Sequence, residues 1–486
     1  MAKEILAPGV HIETVMATGR PIMGVSTSTG VLLGEAMRGV INKPILITSW
    51  QDYIRVFARG LESPFIREAD LAYAVNGFFQ NGGRRLYVMR VGNMRDTNNR
   101  PLQAISSITN EQSIRAKDEG IWGNDLLINI EKNNDGLDPN EELFNILVHF
   151  KGERVEVWRG FSNNPERRNY FERINSQSEF IEFHGEDKII EGSFTFKNGN
   201  DGARVSDIDY LQAFDNLHDL PDRNMIAIPG QTSRPVLRGL LDWCAIDNRT
   251  FPILEMPLLM TTQQARDERR ELGSATRGAI YLPWFKVLDP LSPSGEPRIC
   301  PPSGHLMGVF ARISNERGVH KAPAGVEAQV RGIVDIVQVF NERDSEILNP
   351  ASVNIVMQRP NFGIVIWGTR TLSSDTTMLY VSDQRLNSFI KQSLEEGTQW
   401  AVFEPNDSNL WSSLRITCQE FLQNLWSNGA LFGTSADEAF FVVCDESNNT
   451  QETISQGLLF VDIGYAPVKP AEFIVLRIAH SMRSND

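Results

Sequence analysis

The stretch Val468–His480, VKPAEFIVLRIAH, constrains the fold more than any other part of this sequence. At the two-residue period of a strand, Ile474, Leu476, Ile478 and His480 share one face, and Phe473, Val475, Arg477 and Ala479 share the other. A strand apolar on both faces belongs inside a sheet, because on an open edge it templates aggregation. Chain ends fray unless something ties them down. The sequence therefore predicts a receiving sheet, either in the strand's own end domain or on a neighbouring copy to which it adds a strand. The other end makes a similar demand. PGVHIETV alternates Val10 and Ile12 against His11 and Glu13, with Pro8-Gly9 before it and Gly19-Arg20-Pro21 after it, and no hairpin partner beside it. An orphan strand favours pairing between molecules, and head-to-tail exchange of this kind yields rings or helical filaments rather than closed dimers.

Between the ends, strands and helices alternate. TGVLLGEA, PILITS and RRLYVMRV read as strands. SWQDYIRVF reads as a helix capped by Ser49, with Asp52 at its third position. ADLAYAVNGFFQNGG reads as a helix with Leu71, Val75, Phe78 and Phe79 on one face and Gly82 as a left-handed stop. Past the linker GNMRDTNNRP the pattern turns strand-rich, through WGNDLLINIEK, LFNILVHFKGERVEVWRG, FIEFHGEDKIIEG and SFTFKNGNDG. Alternation resumes with DIDYLQAFDNL, NMIAIPG, PVLRGLLDWCAID, FPILEMP, QQARDERRELG and a strand AIYLPWFKVLD, then a Pro-rich connector. From about Pro360, FGIVIWGTR, two long helices and the strands AFFVVCD, GLLFVDIGYAP and EFIVLRIA form an α+β end. The expected class is a multidomain α/β (α+β) protein. Its expected parts are an N-terminal arm, 1–20, and an α/β domain from 21–95 and 201–359. An inserted β-rich domain covers 96–200, and a C-terminal α+β domain covers 360–486.

Asp and Glu outnumber Lys and Arg, 61 to 47, for a formal charge of −14. That balance argues against wrapping nucleic acid and against an anionic membrane as partner. Cys244, Cys300, Cys418 and Cys444 form no C-x-x-C pair, so buried reduced thiols are expected rather than a zinc site or disulfide framework. MAKEILAPGV has no apolar signal core, and no run reaches the roughly 18 apolar residues of a spanning helix. A soluble protein made in the cytoplasm is expected. The chain has no phosphate-cradling P-loop, G-x-G-x-x-G, G-x-S-x-G or H-E-x-x-H, and its seven histidines are scattered. The tightest carboxylate pairs near predicted element ends, Glu395–Glu396 and Asp445–Glu446, read first as solvated faces, well ahead of acid–base catalysis, with an acidic contact on a partner as a weaker third reading. An enzyme reading rests on architecture alone, which does not define function.

Taken in order, a series of stretches resembles the contractile tail sheath proteins of phages, R-type bacteriocins and phage-tail-like injection systems. They are APGVHIETV, RPIMGVSTSTGVLLGEAMRG, PILITSWQDYIRVF, LAYAVNGFFQNGGRRLYVMRV, GIWGNDLLINI, NGNDG, GVHKAPAG, FGIVIWGTRTLSS, WAVFEPND, LWSNGALFG, AFFVVCDESNNT and GLLFVDIGYAPVKPAEFIVLRI. The stretch 96–200 matches least, which suits the variable outer domain of such sheaths. The resemblance implies a structural subunit with no catalytic residue, cofactor or metal. It implies a homopolymer of stacked rings around an inner tube protein, meeting baseplate and tail-terminator or cap proteins, without nucleic acid or membrane insertion. It places assembly in the bacterial or phage-host cytoplasm, as part of a virion or a released tail-like particle. The intersubunit strands map to Val10, His11, Ile12, Glu13, Thr14 and Val15, and to Phe473, Ile474, Val475, Leu476, Arg477 and Ile478. Glu395 and Glu396 are the candidate tube-facing residues, from their position in the end domain. A single chain departs from the two-chain sheaths of type VI secretion. The alternatives are an α/β hydrolase or nucleotide binder with an inserted β domain, and a tail-tube or baseplate component, against which the two terminal arms argue.

Overall fold

A computed structural model of the chain describes residues 20–94, 99–133, 142–185 and 188–473. The strand expected at Val10–Val15 and residues Ile474–Ile478 of the C-terminal strand lie outside them. Packing divides the described chain into a larger unit, 26–388 with 469–473, and a smaller one, 20–25 with 389–468. The division falls within the helix Val381–Gly397.

The larger unit is built on an eight-stranded sheet. Its order is Gly363–Ile366, Val353–Arg359, Ala279–Leu282, Phe251–Glu255, Met225–Ala227, Gly30–Gly34, Leu86–Arg90 and Ile45–Ile47. The six inner strands are parallel, and the two edge strands run antiparallel to their neighbours. GVLLG, LYVMR, FPILE and AIYL are buried throughout, as parallel strands covered on both faces must be. The faces alternate residue by residue. Leu32 packs into one core with Phe78 and Phe310, while Val31 and Leu33 enter the opposite core with Leu240 and Leu254. On the first face, helices Leu71–Gln80 and Ser303–Arg317 pack closely. A Cβ at Gly304 would meet the Ala74 backbone at 2.5 Å, so this crossing needs glycine.

Local signals account for most of these elements. The Ser49 hydroxyl accepts from the Asp52 amide at 3.1 Å, starting the helix Trp50–Phe57. The Asp52 carboxylate returns to Thr48, 3.1 Å from its amide, one residue earlier than a standard capping box. Gly82 has φ +98, the left-handed stop expected after Leu71–Gln80. AIYLPWFKVLD, expected as one strand, is two. Ala279–Leu282 belongs to the large sheet, whereas Phe285–Val287 pairs with Arg298–Cys300 and Asp335–Ile336. Pro283 has no N–H to continue a ladder, so the chain changes sheets there. FGIVIWGTR, read with the C-terminal region, supplies the edge strand Gly363–Ile366. Asn361 at φ +68 and Gly363 at φ +73 turn the chain back onto Val353–Arg359.

Within the stretch read as a β-rich insertion lie a four-stranded antiparallel sheet and a three-stranded one. The first comprises Gly192–Thr195, Leu126–Asn133, Leu143–Phe150 and Glu153–Ser162. The second comprises Ile105–Ser107, Gln112–Ala116 and Ile181–Gly185. They enclose their own core, including Trp122, Ile146, Phe150 and Phe180. Arg38 joins this core to the rest of the unit. Its guanidinium lies 3.6 Å from the Trp122 ring centre and donates to the Arg59 and Glu179 carbonyls at 2.6 and 2.8 Å. Asp118, beside it, accepts from the Gly39 amide at 3.0 Å.

The smaller unit holds the helix Ser408–Ser427, capped by the Asp407 carboxylate, which accepts from the Asn409 and Leu410 amides. Leu410, Leu414, Cys418, Phe421 and Leu422 line its buried stripe. A two-stranded antiparallel sheet, Phe440–Val443 with Asp462–Tyr465, completes it. All four cysteines are buried and unbridged.

Candidate functional site

Of the candidate residues from the sequence, Phe473, Glu395 and Glu396 lie among the described residues. Phe473, the last described residue, carries no strand assignment and is 73% exposed. Glu395 and Glu396 lie exposed in the last turn of Val381–Gly397, where Glu396 accepts from Gln392 Nε2 at 3.0 Å. Acidic groups there oppose the helix dipole, so helix stability does not explain them. Asp445 is local scaffolding. Its carboxylate accepts from the Ser447 amide and hydroxyl at 2.9 and 2.6 Å, and these bonds hold its pKa below the usual carboxylate range.

The two-stranded sheet is the feature suited to assembly. Among the described residues, the Phe440–Val443 strand pairs with Asp462–Tyr465 and no other strand. Past the end of Asp462–Tyr465, a single bridge joins Pro467 to Leu431. Phe441 lies over Gly464 and stays 58% exposed, while Val442 turns into the core. Two strands this short are marginal alone and need a helix or further strands packed on them; the helix Ser408–Ser427 packs on Phe440–Val443.

Three side chains hold Glu472, a site the sequence reading missed. Arg370 grips its carboxylate in two places, Nε to Oε1 at 3.0 Å and Nη2 to Oε2 at 2.8 Å. The Tyr380 hydroxyl donates to Oε2 at 3.1 Å, and Asn349 Nδ2 donates to Oε1. Burial pushes the Glu472 carboxyl up, but hydrogen bonds from Arg370 and Asn349 together with the Arg370 charge outweigh it. The net pKa lies below the ordinary value. The visible signal was a lone Glu just before an apolar run, with a lone Arg in IWGTRTL. Nothing in spacing joins residues 102 apart.

The large sheet also has the crevice where an α/β enzyme would bind its ligand. Strand order reverses between Gly30–Gly34 and Met225–Ala227. A cavity of about 230 Å³ opens at their carboxyl ends, lined by Glu35, Glu68, Asp70, Arg204, Tyr210 and Gly230 among others. Burial raises the Glu35 and Asp70 carboxyls, Asp70 despite its 2.8 Å ion pair with Arg298. Behind the wall, burial pushes Glu255 up to about 8 although Gly230 and Ser303 amides donate to it. Three carboxylates around this cavity disfavour a phosphate-bearing ligand. Among the described residues, no group of three or more His, Cys, Asp or Glu is placed to hold a metal ion. No helix there is long and apolar enough to cross a membrane.

Comparison with solved structures defines the fold as that of sheath proteins. The sheath complex of PVC, an extracellular contractile injection system in the contracted state, aligns with a TM-score of 0.64 at 20% identity, covering 99% of both chains. The sheath tail protein of Listeria innocua aligns with a TM-score of 0.63 at 12% identity, covering 93% of this chain and 97% of that one. Two family models match in sequence, the phage tail sheath protein central domain over residues 203–372 and the phage tail sheath C-terminal domain over 373–480. The chain belongs to the phage tail sheath family. It is 29% identical to the tail sheath protein of Escherichia phage P2 over 259 residues, 52% of this chain and 62% of that protein. It is 25% identical to a putative prophage major tail sheath protein of Pseudomonas aeruginosa over 254 residues, 51% of this chain and 62% of that one. The matched region spans 62% of the length of each of these two relatives.

Proposed function

We propose that the chain is a structural subunit of a contractile sheath. It polymerises as stacked rings around an inner tube and shortens to drive that tube through a target envelope. The observation that carries this reading is the incomplete sheet of the smaller unit. Its Phe440–Val443 edge has no second strand among the described residues, and Phe441 stands exposed on it. The strand patterns at Val10–Val15 and Phe473–Ile478 supply what such a sheet lacks, from neighbouring copies. A mesh of main-chain bonds then stays paired while globular faces exchange contacts, a switch between two packings. Baseplate and terminator proteins close the ends, and Glu395–Glu396 face the tube. Subunits assemble in the bacterial cytoplasm and leave as part of a virion or tail-like particle. The domain plan proposed is arm 1–20, α/β domain 21–95 and 201–359, outer domain 96–200 and inner domain 360–486, the last lending its first strand, Gly363–Ile366, to the large sheet. Family membership and the acid-lined crevice both weigh against the hydrolase or nucleotide-binding alternative.

Electron microscopy of the purified full-length chain at high concentration tests the reading. Long hollow cylinders are expected; monomers that persist at every concentration would overturn it.

A further inference from the structure

Glu472 immediately precedes the apolar run that serves as connector in the proposed function, and its surroundings are more elaborate than an exposed ion pair needs. The side chains of Arg370 and Glu472 are 17% and 15% exposed. The donors come from three separate segments, after the helix Glu342–Leu348, beyond the edge strand Gly363–Ile366 and before the helix Val381–Gly397. The receptor is also positioned from behind. Asn354 is wholly buried on Val353–Arg359, inside the large sheet. Its Oδ1 accepts from the Arg370 amide at 2.7 Å, and its Nδ2 donates to the carbonyls of Arg370 and Ile280 at 2.7 and 3.2 Å. An isolated bridge couples Arg370 to Tyr380. The Arg370 backbone is thus fixed by the sheet, and its guanidinium also donates to the Asn349 carbonyl at 3.4 Å; a planar fork held this way loses less freedom on meeting the carboxylate. Three residues upstream, Lys469 Nζ donates to the Thr376 carbonyl at 3.3 Å, a second tether on the same approach.

We propose that Arg370, Asn349 and Tyr380 form a carboxylate receptor that anchors the root of the C-terminal connector to the eight-stranded sheet. The proposal rests on reading Phe473–Ile478 as an intersubunit strand. Arg370, Asn349 and Tyr380 act as positioning residues. They fix where the connector leaves the larger unit, so less ordering remains to be done when the strand joins a neighbour. Load on the connector enters the large sheet through Arg370 and Asn354, and the marginal two-stranded sheet is spared.

The experiment compares the full-length chain with E472Q, N349A and Y380F. It measures the concentration at which polymers appear by sedimentation, and thermal melting of the monomer below that concentration. E472Q keeps the shape and removes the charge. Its polymerisation threshold is expected to rise about tenfold, the scale of a lost charge-assisted hydrogen bond. N349A and Y380F are expected to raise it less, with monomer melting close to the parent. Should E472Q fail to fold, N349A and Y380F carry the same comparison. Thresholds equal to the parent in all variants would overturn the anchor and leave the connector reading standing. Monomer melting that falls in step with assembly would also overturn it, by making the cluster ordinary fold support. A chain ended before Glu472 that still polymerises would instead overturn the connector reading.

Discussion

The eight-stranded sheet and the two-stranded sheet differ in completeness. In the first, six parallel strands are bonded on both sides, both faces are covered, and its two antiparallel edge strands are short, three and four residues. In the second, Phe440–Val443 has one partner among the described residues and an exposed phenylalanine at its centre. A sheet that has used its hydrogen-bonding capacity supports a fold. A sheet that has not can support an assembly, because each added strand recovers main-chain bonds and covers apolar surface. On the proposed function, the larger unit supports the fold and the smaller unit's sheet supports association.

Substitutions should separate these roles. The largest expected effect is Leu32→Ala, which empties a fully buried position between strand and helices. It should cost about 2–5 kcal/mol in denaturant unfolding of the monomer. Next comes pH. Burial holds the Glu255 carboxyl at about 8, above its unfolded value of roughly 4.3. The stability it contributes is therefore complete below the unfolded pKa and is lost as pH rises through about 8. Melting should fall as pH rises from about 4 to about 8 and level off above that, and Glu255→Gln should flatten that fall; an unchanged slope would remove Glu255 as its cause. The smallest effect on the monomer belongs to Phe441→Ser, expected within about 0.5 kcal/mol because the ring is mostly exposed. The same change should raise the polymerisation threshold. If it destabilises the monomer as Leu32→Ala does, the contrast between the sheets fails.

Most of the large sheet was legible because its strands announce burial on both faces, as in GVLLG and FPILE. Helix starts at Ser49 and the stop at Gly82 were legible because capping is local chemistry. Short or irregular strands were not. Ile105–Ser107 and Gln112–Ala116 are too brief for a period to register, and Arg298–Cys300 sits inside a Pro-rich connector. The placement of Gly363–Ile366 depended on a turn at Asn361, which hydropathy does not report. The anchor at Glu472 was invisible for another reason. Its partners, Asn349, Arg370 and Tyr380, are polar residues 92 to 123 positions away, brought to it by the sheet that holds Asn354.

The central claim is that the chain's ends complete a neighbour's sheet and not its own fold. The most direct test compares the parent with two truncations, one lacking residues 1–15 and one ended before Glu472, by monomer melting and electron microscopy. Both truncations should give soluble monomers that melt cooperatively and form no cylinders at any concentration at which the parent does. Cylinders from either truncation would contradict the claim.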